Sequence, residues 1–256
     1  MPEGDTLFNI ALRLRPALLG RELTGVSIPR VRGMERLKVG DVVSSVCSRG
    51  KYLEIGVERG LVLRTHLKMT GSWHLYAPGE RWRKGRHLAR VVLETPEAIA
   101  VCFQAPVVEI GRVGDGRLDH LGPDLCDAEV DIDGVVRRVQ TLADPRSEIA
   151  EVLLDQRLAA GIGNVYKCET LFACGIDPFT PLAEIPPEDV RRLYETAARQ
   201  LQANLGRDRR ETLEGGLAVY GRDRQGCRVC RTGVRSTSHG DQARRTWWCP
   251  PCEARP

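Results

Sequence analysis

The sequence predicts an α+β chain of several parts: a leading helix, a β-rich domain of sandwich or barrel type, a helical domain and a metal-binding C-terminus. Three observations predict it. The first 20 residues have apolar side chains at helical spacing, residues 22–110 have short apolar or alternating runs separated by Gly and Pro, and four of nine cysteines form two close pairs near the C-terminus. With 256 residues, 42% hydrophobic and 28% charged, the composition excludes a disordered chain.

The leading helix is predicted to begin at Asp5 and Thr6, which are good N-cap residues, and to end at Gly20. Pro16 is expected to strain its last turn. The apolar positions that indicate this helix are Leu7, Ile10, Ala11, Leu14, Ala17 and Leu18. We therefore expect one face of the helix to be buried.

The rest of the chain divides by the pattern of its apolar residues. The clearest strands are predicted at residues 42–46, 52–57, 61–64, 89–93 and 99–103. Residues 115–134 are rich in Gly, Asp and Pro, and helices are predicted beyond them at residues 149–160, 165–174 and 187–205. The predicted parts are a β domain at residues 1–122, a linker at 123–134, a helical domain at 135–215 and a zinc finger at 216–256.

Positive charge is concentrated at the C-terminus. Residues 205–256 contain eleven Arg, no Lys and six acidic residues, a net charge of +5, whereas the remainder has 27 basic and 28 acidic residues. A positive end on a near-neutral body is typical of a protein that anchors a polyanion. An arginine-rich solvated surface gives the same pattern, so charge alone leaves both interpretations open.

Four cysteines have the spacing of a zinc site. The pairs Cys227-x2-Cys230 and Cys249-x2-Cys252 are separated by eighteen residues, and each pair can turn two sulfurs toward one ion. Four thiolates leave no position for water, so we predict one structural zinc ion rather than a catalytic one. Chance free thiols or a redox pair explain the repeated spacing less well. The other cysteines are expected in the core. They are Cys47, Cys102, Cys126, Cys168 and Cys174.

A glycine-punctuated turn connects two predicted helices within residues 153–166. Asn164 opens the second helix, where backbone N–H groups and the Asn amide make an anion site. Taken alone, the pattern Gly161-x-Gly163-Asn164 is also that of an ordinary helix cap. The Arg-rich hairpin between the cysteine pairs supplies a second set of phosphate donors, and we predict that both sites hold one nucleic-acid backbone.

Pro2 is a candidate nucleophile. If the initiator methionine is removed, Pro2 becomes a free secondary amine beside a helix N-terminus, where the helix dipole disfavours the ammonium form. Such an amine can attack a sugar C1′ and form an iminium ion. Glu3, adjacent and expected to be flexible, can give or take protons at the opened sugar. Any second residue could be proline, however, so this hypothesis depends on the remaining motifs.

Six sequence blocks carry a resemblance to a known family. They are Met1-Pro2-Glu3-Gly4-Asp5-Thr6, Ser48-Arg49-Gly50-Lys51-Tyr52-Leu53, His66-Leu67-Lys68-Met69-Thr70-Gly71, Leu153-Leu154-Asp155-Gln156, Gly161-Ile162-Gly163-Asn164-Val165-Tyr166 and Val219-Tyr220-Gly221-Arg222. In this order, and over nearly its whole length, the chain resembles the bifunctional DNA glycosylases of the formamidopyrimidine-DNA glycosylase and endonuclease VIII family. The resemblance implies an N-terminal β-sandwich with a leading helix, joined to a helix-two-turns-helix domain with a zinc finger.

The resemblance also implies catalytic roles. Pro2 matches the nucleophile that displaces the damaged base and forms the Schiff base, and Glu3 matches the acid/base that assists sugar opening and elimination. Lys51 matches a lysine of the β domain that contacts the phosphate beside the lesion. Without the family match, Lys51 would be taken for an exposed surface lysine.

Three further residues match DNA-binding positions of the family. Asn164 matches the phosphate ligand of the helix-two-turns-helix motif, and Arg244 matches the zinc-finger arginine that clamps phosphates flanking the lesion, with Arg245 as a near rival. Met69 lies where the family inserts a side chain into the gap left by the extruded nucleotide. The alternative for Met69 is a core methionine.

Two departures indicate the branch of the family. Where the formamidopyrimidine branch carries Asp-Pro-Arg-Arg-Phe-Gly, whose Arg and Phe face the opposite base, this chain has residues 104–108, Gln-Ala-Pro-Val-Val. Where that branch has a base-contacting lysine, this chain has Ala150. Together with the Met-Pro-Glu-Gly opening, these departures favour the endonuclease VIII branch, and oxidised pyrimidines are the expected substrates.

We therefore predict a DNA glycosylase and abasic-site lyase of base excision repair that cleaves the strand by β,δ-elimination. Its partner is damaged DNA, duplex, bubble or single-stranded, and its expected state is a monomer. Two alternatives remain open: a non-catalytic zinc-dependent DNA-binding protein, and an abasic-site lyase with little glycosylase activity. With neither a long apolar run nor a signal peptide in the sequence, we expect a cytoplasmic protein without a membrane partner.

Overall fold

The structure is a computed structural model that describes residues 2–29, 31, 36–240 and 243–254. By its internal contacts the chain divides into two compact units. The N-terminal unit consists of Pro2 and Thr6–Leu118, and the C-terminal unit consists of Glu3–Asp5 and Asp119–Pro256. Residues 3–5 thus belong to the C-terminal unit, although the rest of the helix that they begin belongs to the N-terminal unit.

The described part of the N-terminal unit contains eight strands besides the leading helix. They are β1 (Gly25–Ser27), β2 (Val43–Arg49), β3 (Tyr52–Val57), β4 (Leu61–His66), β5 (Ser72–Tyr76), β6 (Ala89–Glu94), β7 (Ile99–Phe103) and β8 (Val107–Arg112). They pair antiparallel in two four-stranded sheets, with strand orders β1-β6-β7-β5 and β2-β3-β4-β8. The predicted β domain is therefore a sandwich rather than a barrel.

The leading helix α1 spans Gly4–Leu18, and its apolar face lies in the core of the sandwich. Leu7, Leu14 and Leu18 are at most 2% exposed, as the helical spacing predicted. The helix begins before Asp5, so Asp5 lies inside the first turn and does not serve as the predicted N-cap. The physical reason is that its carboxylate is bound by side chains of the C-terminal unit, described below.

The C-terminal unit contains the remaining helices and a hairpin. They are α2 (Ile132–Leu142), α3 (Ile149–Val152), α4 (Asn164–Cys174), α5 (Pro187–Ala203), β9 (Arg235–His239) and β10 (Arg244–Trp248). Helices α4 and α5 pack together, and α4 also packs on β10. The positively charged hairpin is thereby attached to the helix that begins at Asn164.

Two predictions about this unit need correction. Helix α2 begins inside the predicted linker, because the Asp131 side chain accepts a hydrogen bond from the Gly134 N–H (2.8 Å) and caps the helix. The helix predicted at residues 149–160 ends at Val152, and turns follow. Asp155 accounts for part of this difference, because its carboxylate binds the backbone N–H of Arg157 (2.9 Å) in a turn.

Candidate active site and DNA-binding residues

Glu3 is held at the first turn of α4. Its side chain is fully buried, and its carboxylate accepts hydrogen bonds from the backbone N–H groups of Gly163 (2.9 Å), Val165 (2.7 Å) and Tyr166 (3.2 Å). Such N–H groups have no partner within a helix, and the helix dipole favours a negative charge there. The donors predicted to bind phosphate are therefore occupied by a carboxylate of the same chain, and the prediction of a flexible Glu3 is wrong.

Two glycines permit this close approach. A Cβ atom on Gly163 would lie 2.4 Å from Cδ of Glu3, so any larger residue there would displace the carboxylate. Gly4 donates its N–H to the carbonyl of Gly161 (3.0 Å), and a Cβ atom on Gly4 would lie 2.9 Å from Cα of Gly161. The glycines of the turn thus accommodate the N-terminal segment of the chain.

Asp5 anchors the same segment a second time. Its carboxylate accepts two hydrogen bonds from the Arg210 guanidinium (2.6 and 2.5 Å) and one from the Tyr166 hydroxyl (2.9 Å). Burial and the adjacent Asp5 charge raise the pKa of Tyr166, so its hydroxyl remains protonated and donates. Arg210 was not predicted, since nothing local to residue 210 marks it as the partner of a residue at the other end of the chain.

Asn164 and Lys167 connect α4 to the hairpin. The Asn164 side chain is 5% exposed, and its Nδ2 donates to the backbone carbonyl of Arg245 (2.8 Å). Lys167 is 1% exposed and donates from Nζ to Oγ1 of Thr246 (2.7 Å), and burial lowers the pKa of its amine. The predicted phosphate ligand Asn164 thus contacts the strand that carries the predicted zinc-finger arginine. Lys167 and Thr246 were not predicted.

Arg244 and Arg245 begin β10 and, as neighbours in a strand, point to opposite faces of the hairpin. Arg244 is half-buried and lines a cavity of about 520 Å³ together with Lys167 and Gln156. Arg245 is exposed and donates from Nε to the hydroxyl of Ser236 on β9 (2.9 Å). The two arginines therefore cannot serve one phosphate in the same way.

The four predicted zinc ligands come together at the base of the hairpin. The sulfurs of Cys227, Cys230, Cys249 and Cys252 all lie within 4.8 Å of one another. Zn–S bonds of about 2.3 Å in a tetrahedron require S–S distances of about 3.8 Å. The Cys227–Cys252 and Cys230–Cys249 sulfurs are 3.9 and 3.4 Å apart. The cluster could therefore hold one metal ion.

Lys51 lies in the two-residue turn between β2 and β3, where Gly50 has a φ of 56°. The adjacent β4 residue His66 has its pKa lowered to about 4 by burial and by the charges of Lys68 and Lys51. His66 is therefore neutral at pH 7, whereas Lys51 and Lys68 carry positive charge beside it.

Met69 lies in the loop between β4 and β5 and is 69% exposed. The alternative of a core methionine is therefore wrong. The preceding residue, Lys68, has a φ of 47°, a conformation that few non-glycine residues adopt. An exposed apolar side chain on such a loop agrees with the predicted insertion into DNA.

Glu169 is a further residue that sequence analysis missed. It is 1% exposed on α4 and accepts hydrogen bonds from the backbone N–H groups of Ala218 (2.7 Å), Val219 (3.0 Å) and Tyr220 (2.8 Å), and from the Thr212 hydroxyl. The carboxylate thus holds the segment that precedes the cysteine cluster. The only sequence signal was a charged residue on an otherwise apolar helix face.

We expect Glu169→Gln to lower the free energy of unfolding by about 3 kcal/mol, because an NH2 group would face backbone N–H donors in a buried site. Urea unfolding of the purified variant measures this. The matched control is Glu195→Gln on α5, whose exposed carboxylate is 3.8 Å from Arg191 and should contribute less than about 0.5 kcal/mol. Equal effects of the two substitutions would contradict the anchoring role of Glu169.

Comparison with known proteins agrees with this arrangement. Two family models match the chain: the formamidopyrimidine-DNA glycosylase N-terminal domain at residues 1–106, and the formamidopyrimidine-DNA glycosylase H2TH domain at residues 121–213. The first match covers the leading helix and strands β1 to β7 of the sandwich, and the second covers helices α2 to α5 of the C-terminal unit. They define a class of protein that joins the N-terminal domain of formamidopyrimidine-DNA glycosylases to a helix-two-turns-helix (H2TH) domain.

Similar proteins extend over the whole chain. A protein of Streptomyces coelicolor named probable endonuclease 8 2 is 42% identical over 100% of this chain and 95% of that protein. A protein of Mycolicibacterium smegmatis named DNA-(apurinic or apyrimidinic site) lyase is 36% identical over 99% of both chains. The chain belongs to the formamidopyrimidine-DNA glycosylase and endonuclease VIII family, nearer its endonuclease VIII branch.

A solved structure shows the same fold. The Lactococcus lactis Fpg protein, in a complex with DNA that contains an abasic site, matches with a TM-score of 0.82 and 21% identity over 98% of this chain and 99% of that chain. Among the described residues, no helix is both long and apolar enough to cross a lipid bilayer.

Proposed function

We propose that this protein is a bifunctional DNA glycosylase and abasic-site lyase, with Pro2 as its nucleophile and Glu3 as its acid/base. The observation that carries the proposal is the position of Glu3. A carboxylate directly after the predicted nucleophile is buried and held by three backbone N–H groups. A residue that served only to begin a helix would not require this anchoring, whereas proton transfer requires a carboxylate at a defined position.

The chemistry follows from the reactivity of a secondary amine. The Pro2 nitrogen forms a bond to C1′ while the glycosidic bond breaks with its electron pair, and the departing base takes up a proton. Opening of the sugar at O4′ gives an iminium ion, and Glu3 transfers the proton at the opened sugar. The iminium acidifies C2′, so loss of a proton expels the 3′ phosphate, and a second elimination expels the 5′ phosphate. Hydrolysis then releases Pro2.

Oxidised pyrimidines are the proposed lesions. The connection between β7 and β8 has three residues, 104–106, which leaves little chain for a loop that reads the opposite base. Ala150, which stands at the family's base-contacting lysine position, is fully buried in α3. Both features support the endonuclease VIII branch. Because the damaged base must leave the stack, bases that are already weakly paired should be extruded at least cost.

The proposed metal is one structural zinc ion, held by the four cysteines of the cluster. Lys51, Asn164 and Arg244 are proposed to contact DNA phosphates, and Met69 is proposed to fill the gap left by the extruded nucleotide. The site of action is the bacterial cytoplasm, where the DNA lies, and the proposed state is a monomer.

Borohydride trapping tests the proposal on two oligonucleotide duplexes, one with an abasic site and one with 5-hydroxyuracil. A covalent adduct on both substrates is the expected result, because excision of the base yields the same Schiff base as the abasic site. No adduct on either substrate would favour a non-catalytic DNA-binding protein.

A second candidate is an abasic-site lyase with little glycosylase activity. The name of the Mycolicibacterium smegmatis relative, DNA-(apurinic or apyrimidinic site) lyase, favours it. The trapping experiment separates the two candidates, since this lyase would form an adduct on the abasic duplex alone. Single-turnover release of 5-hydroxyuracil, measured without borohydride, gives an independent readout of base excision.

We expect Arg244→Ala to weaken binding of abasic duplex DNA and to lower the slope of log K against log salt by about 0.9, the effect of one lost phosphate contact. Fluorescence anisotropy at several salt concentrations measures both quantities. Arg245→Ala should change the slope less, because the Arg245 side chain is held by Ser236 on the other face of the hairpin.

The matched control is Arg146→Ala, which removes an exposed guanidinium paired with Asp144. It should leave the slope unchanged. If Arg245→Ala lowers the slope and Arg244→Ala does not, the phosphate clamp belongs to Arg245. Zinc content of each variant is measured in parallel, and loss of zinc from Arg244→Ala would show that its role is structural.

A further inference from the structure

A second group of cations lies in the N-terminal unit, away from the residues that the family match identifies. Arg13 on α1, Arg83 and Lys84 surround His74 of β5. A shallow pocket with a volume of about 330 Å³ is lined by Arg13, Arg83 and His74. No residue of this group was singled out by its sequence pattern.

These cations have no acidic partner among the residues that the structure describes. Arg13 and Arg83 form no ion pair there, and Lys84 donates only to neutral oxygens, Oγ of Ser72 (2.9 Å) and Oε1 of Gln104 (3.5 Å). Burial lowers the pKa of His74, and all its charged neighbours, Lys84, Arg83 and Arg13, lower it further. Like charges that converge without an acid disfavour the folded state, unless an anion binds there.

The segment that carries Arg83 and Lys84 is held in place. Its residue Trp82 stacks on Tyr76 (6.1 Å between ring centroids) and meets Phe103 edge to face (5.8 Å). The guanidinium of Arg86 lies over the Trp82 indole, 4.9 Å from the ring centroid. The Arg83 backbone N–H donates to the Tyr76 hydroxyl (3.1 Å). The two cations are thus presented by a packed segment and not by a solvated tail.

The position of the group points to nucleic acid. Ser72, which binds Lys84, begins β5 directly after the loop that carries the exposed Met69. Thr70, in the same loop as Met69, donates its hydroxyl to the backbone carbonyl of Gln104 (3.1 Å). If Met69 enters DNA, Lys84 lies beside the entry point, and Arg83 and Arg13 continue the positive surface from there.

We propose that Arg13, Arg83 and Lys84 form a second phosphate-binding site, which holds DNA backbone beyond the damaged nucleotide. The inference rests on the proposed function, because the ligand is the same damaged DNA. Arg13 lies nine residues after the first residue of α1, or about 14 Å along the helix. If the reacting sugar lies at the start of α1 and the DNA backbone follows the helix, this distance spans about four nucleotides at about 3.4 Å per nucleotide.

The test compares two double variants that remove the same charge from the N-terminal unit. Arg13→Gln/Arg83→Gln removes two of the converging cations. Arg21→Gln/Arg117→Gln removes two exposed arginines that are paired with Glu97 (3.1 Å) and Glu109 (2.8 Å). Binding to a labelled duplex with a tetrahydrofuran residue, an abasic analogue that cannot form a Schiff base, is followed by anisotropy at several salt concentrations.

For Arg13→Gln/Arg83→Gln we expect the slope of log K against log salt to fall by about 2, and low-salt affinity to fall at least about 10-fold. The control double variant should bind within about twofold of wild type. Circular dichroism spectra of both double variants must match that of the wild-type protein, as the check that they are folded. Equal effects of the two double variants, or no effect of either, would overturn the proposal.

A truncation series tests the distance. Duplexes end either two or eight base pairs beyond the lesion, on one side or the other. The difference between wild type and Arg13→Gln/Arg83→Gln should vanish on one of the two short duplexes and persist on the long ones. A defect of equal size on every duplex would contradict a contact about four nucleotides away.

Two further readouts separate this proposal from its alternatives. Calorimetry with inorganic pyrophosphate tests whether the site binds small phosphates. The assignment to DNA would be overturned if Arg13→Gln/Arg83→Gln lost pyrophosphate binding but kept the wild-type slope of log K against log salt for DNA. Borohydride trapping of the wild-type protein on an abasic duplex reports the proposed chemistry separately. Failure of trapping alone would refute the lyase and leave the binding comparison intact.

Discussion

Pro2→Gly should reduce borohydride trapping and strand cleavage by at least about 100-fold, the order of loss expected when a reacting group is no longer held in position. Glycine keeps an N-terminal amine, but it is a primary amine on a more flexible residue. The ring of Pro2 fixes the nitrogen directly before Glu3, whose carboxylate is held at the start of α4. A reduced rate with a retained weak adduct would therefore still identify the terminal amine as the reacting group.

A second variant separates the amine from the proline ring. Insertion of one alanine before Pro2 leaves every native residue in place and converts the Pro2 nitrogen to an amide, which is not nucleophilic. We expect no trapping, with unchanged affinity for tetrahydrofuran-containing duplex. Mass spectrometry of wild-type protein must show that the initiator methionine is absent.

The control for loss of a proline is Pro96→Gly, in the exposed turn between β6 and β7. Its trapping should equal that of wild type. Full activity of the Pro2→Gly protein, or of the alanine insertion, would refute the nucleophile assignment. If the inserted protein still gives an adduct, peptide mapping of the trapped product must distinguish the amine of the inserted alanine from a lysine side chain.

The parts of the fold that could be predicted are those with a strong local pattern. Strands β3 and β7 have the predicted bounds, Tyr52–Val57 and Ile99–Phe103, because each is a short apolar run between turn signals. Strand β5 (Ser72–Tyr76) was not located. Its sequence, Ser-Trp-His-Leu-Tyr, mixes polar and apolar residues, and its pairing with β7 defines it as a strand.

Helix α2 illustrates a different failure. The segment Asp131-Ile132-Asp133-Gly134 has the composition of a turn, and this composition led to the prediction of a linker. Asp131 is instead a helix cap, and the apolar residues that bury the helix, Val135 and Val139, lie beyond the Asp-rich segment. Caps and turns use the same residue types, so the burial of later residues must decide between them.

The site was predictable as a list of residues but not as a set of contacts. The cysteine spacing predicted a cluster that the structure brings together. Contacts of Glu3 with Val165, and of Asp5 with Arg210, join residues more than 150 positions apart. The periodicity of apolar residues along a local segment carries no information about such contacts. Their existence changes the interpretation of Gly163, which accommodates a carboxylate of the chain itself.

Removal of the metal should abolish tight DNA binding while the β-sandwich stays folded. The hairpin β9–β10 has a small core of its own, centred on Cys168, Val219 and Val234 with two of the cysteines. Structural zinc contributes about 10–16 kcal/mol to the folding of small zinc domains. Without it the hairpin loses the geometry that supports the contacts of β10 with Asn164 and Lys167.

We therefore expect Cys249→Ser to lose zinc, measured by plasma mass spectrometry, and to bind abasic duplex on the order of 100-fold more weakly, because Arg244 loses its position on β10. The matched control is Cys174→Ser, which changes a buried cysteine of the same unit outside the cluster. It should keep one zinc ion per chain and near wild-type affinity.

Two outcomes would contradict this account. If Cys249→Ser keeps stoichiometric zinc, the four cysteines are not the ligands. If it loses zinc and still binds DNA like wild type, the hairpin does not carry the phosphate clamp. The affinity must then come from other cations, such as Lys51 or the group of Arg13, Arg83 and Lys84. The salt slopes of Arg244→Ala and Arg13→Gln/Arg83→Gln then decide between these sources, since each slope counts the phosphates that a surface neutralises.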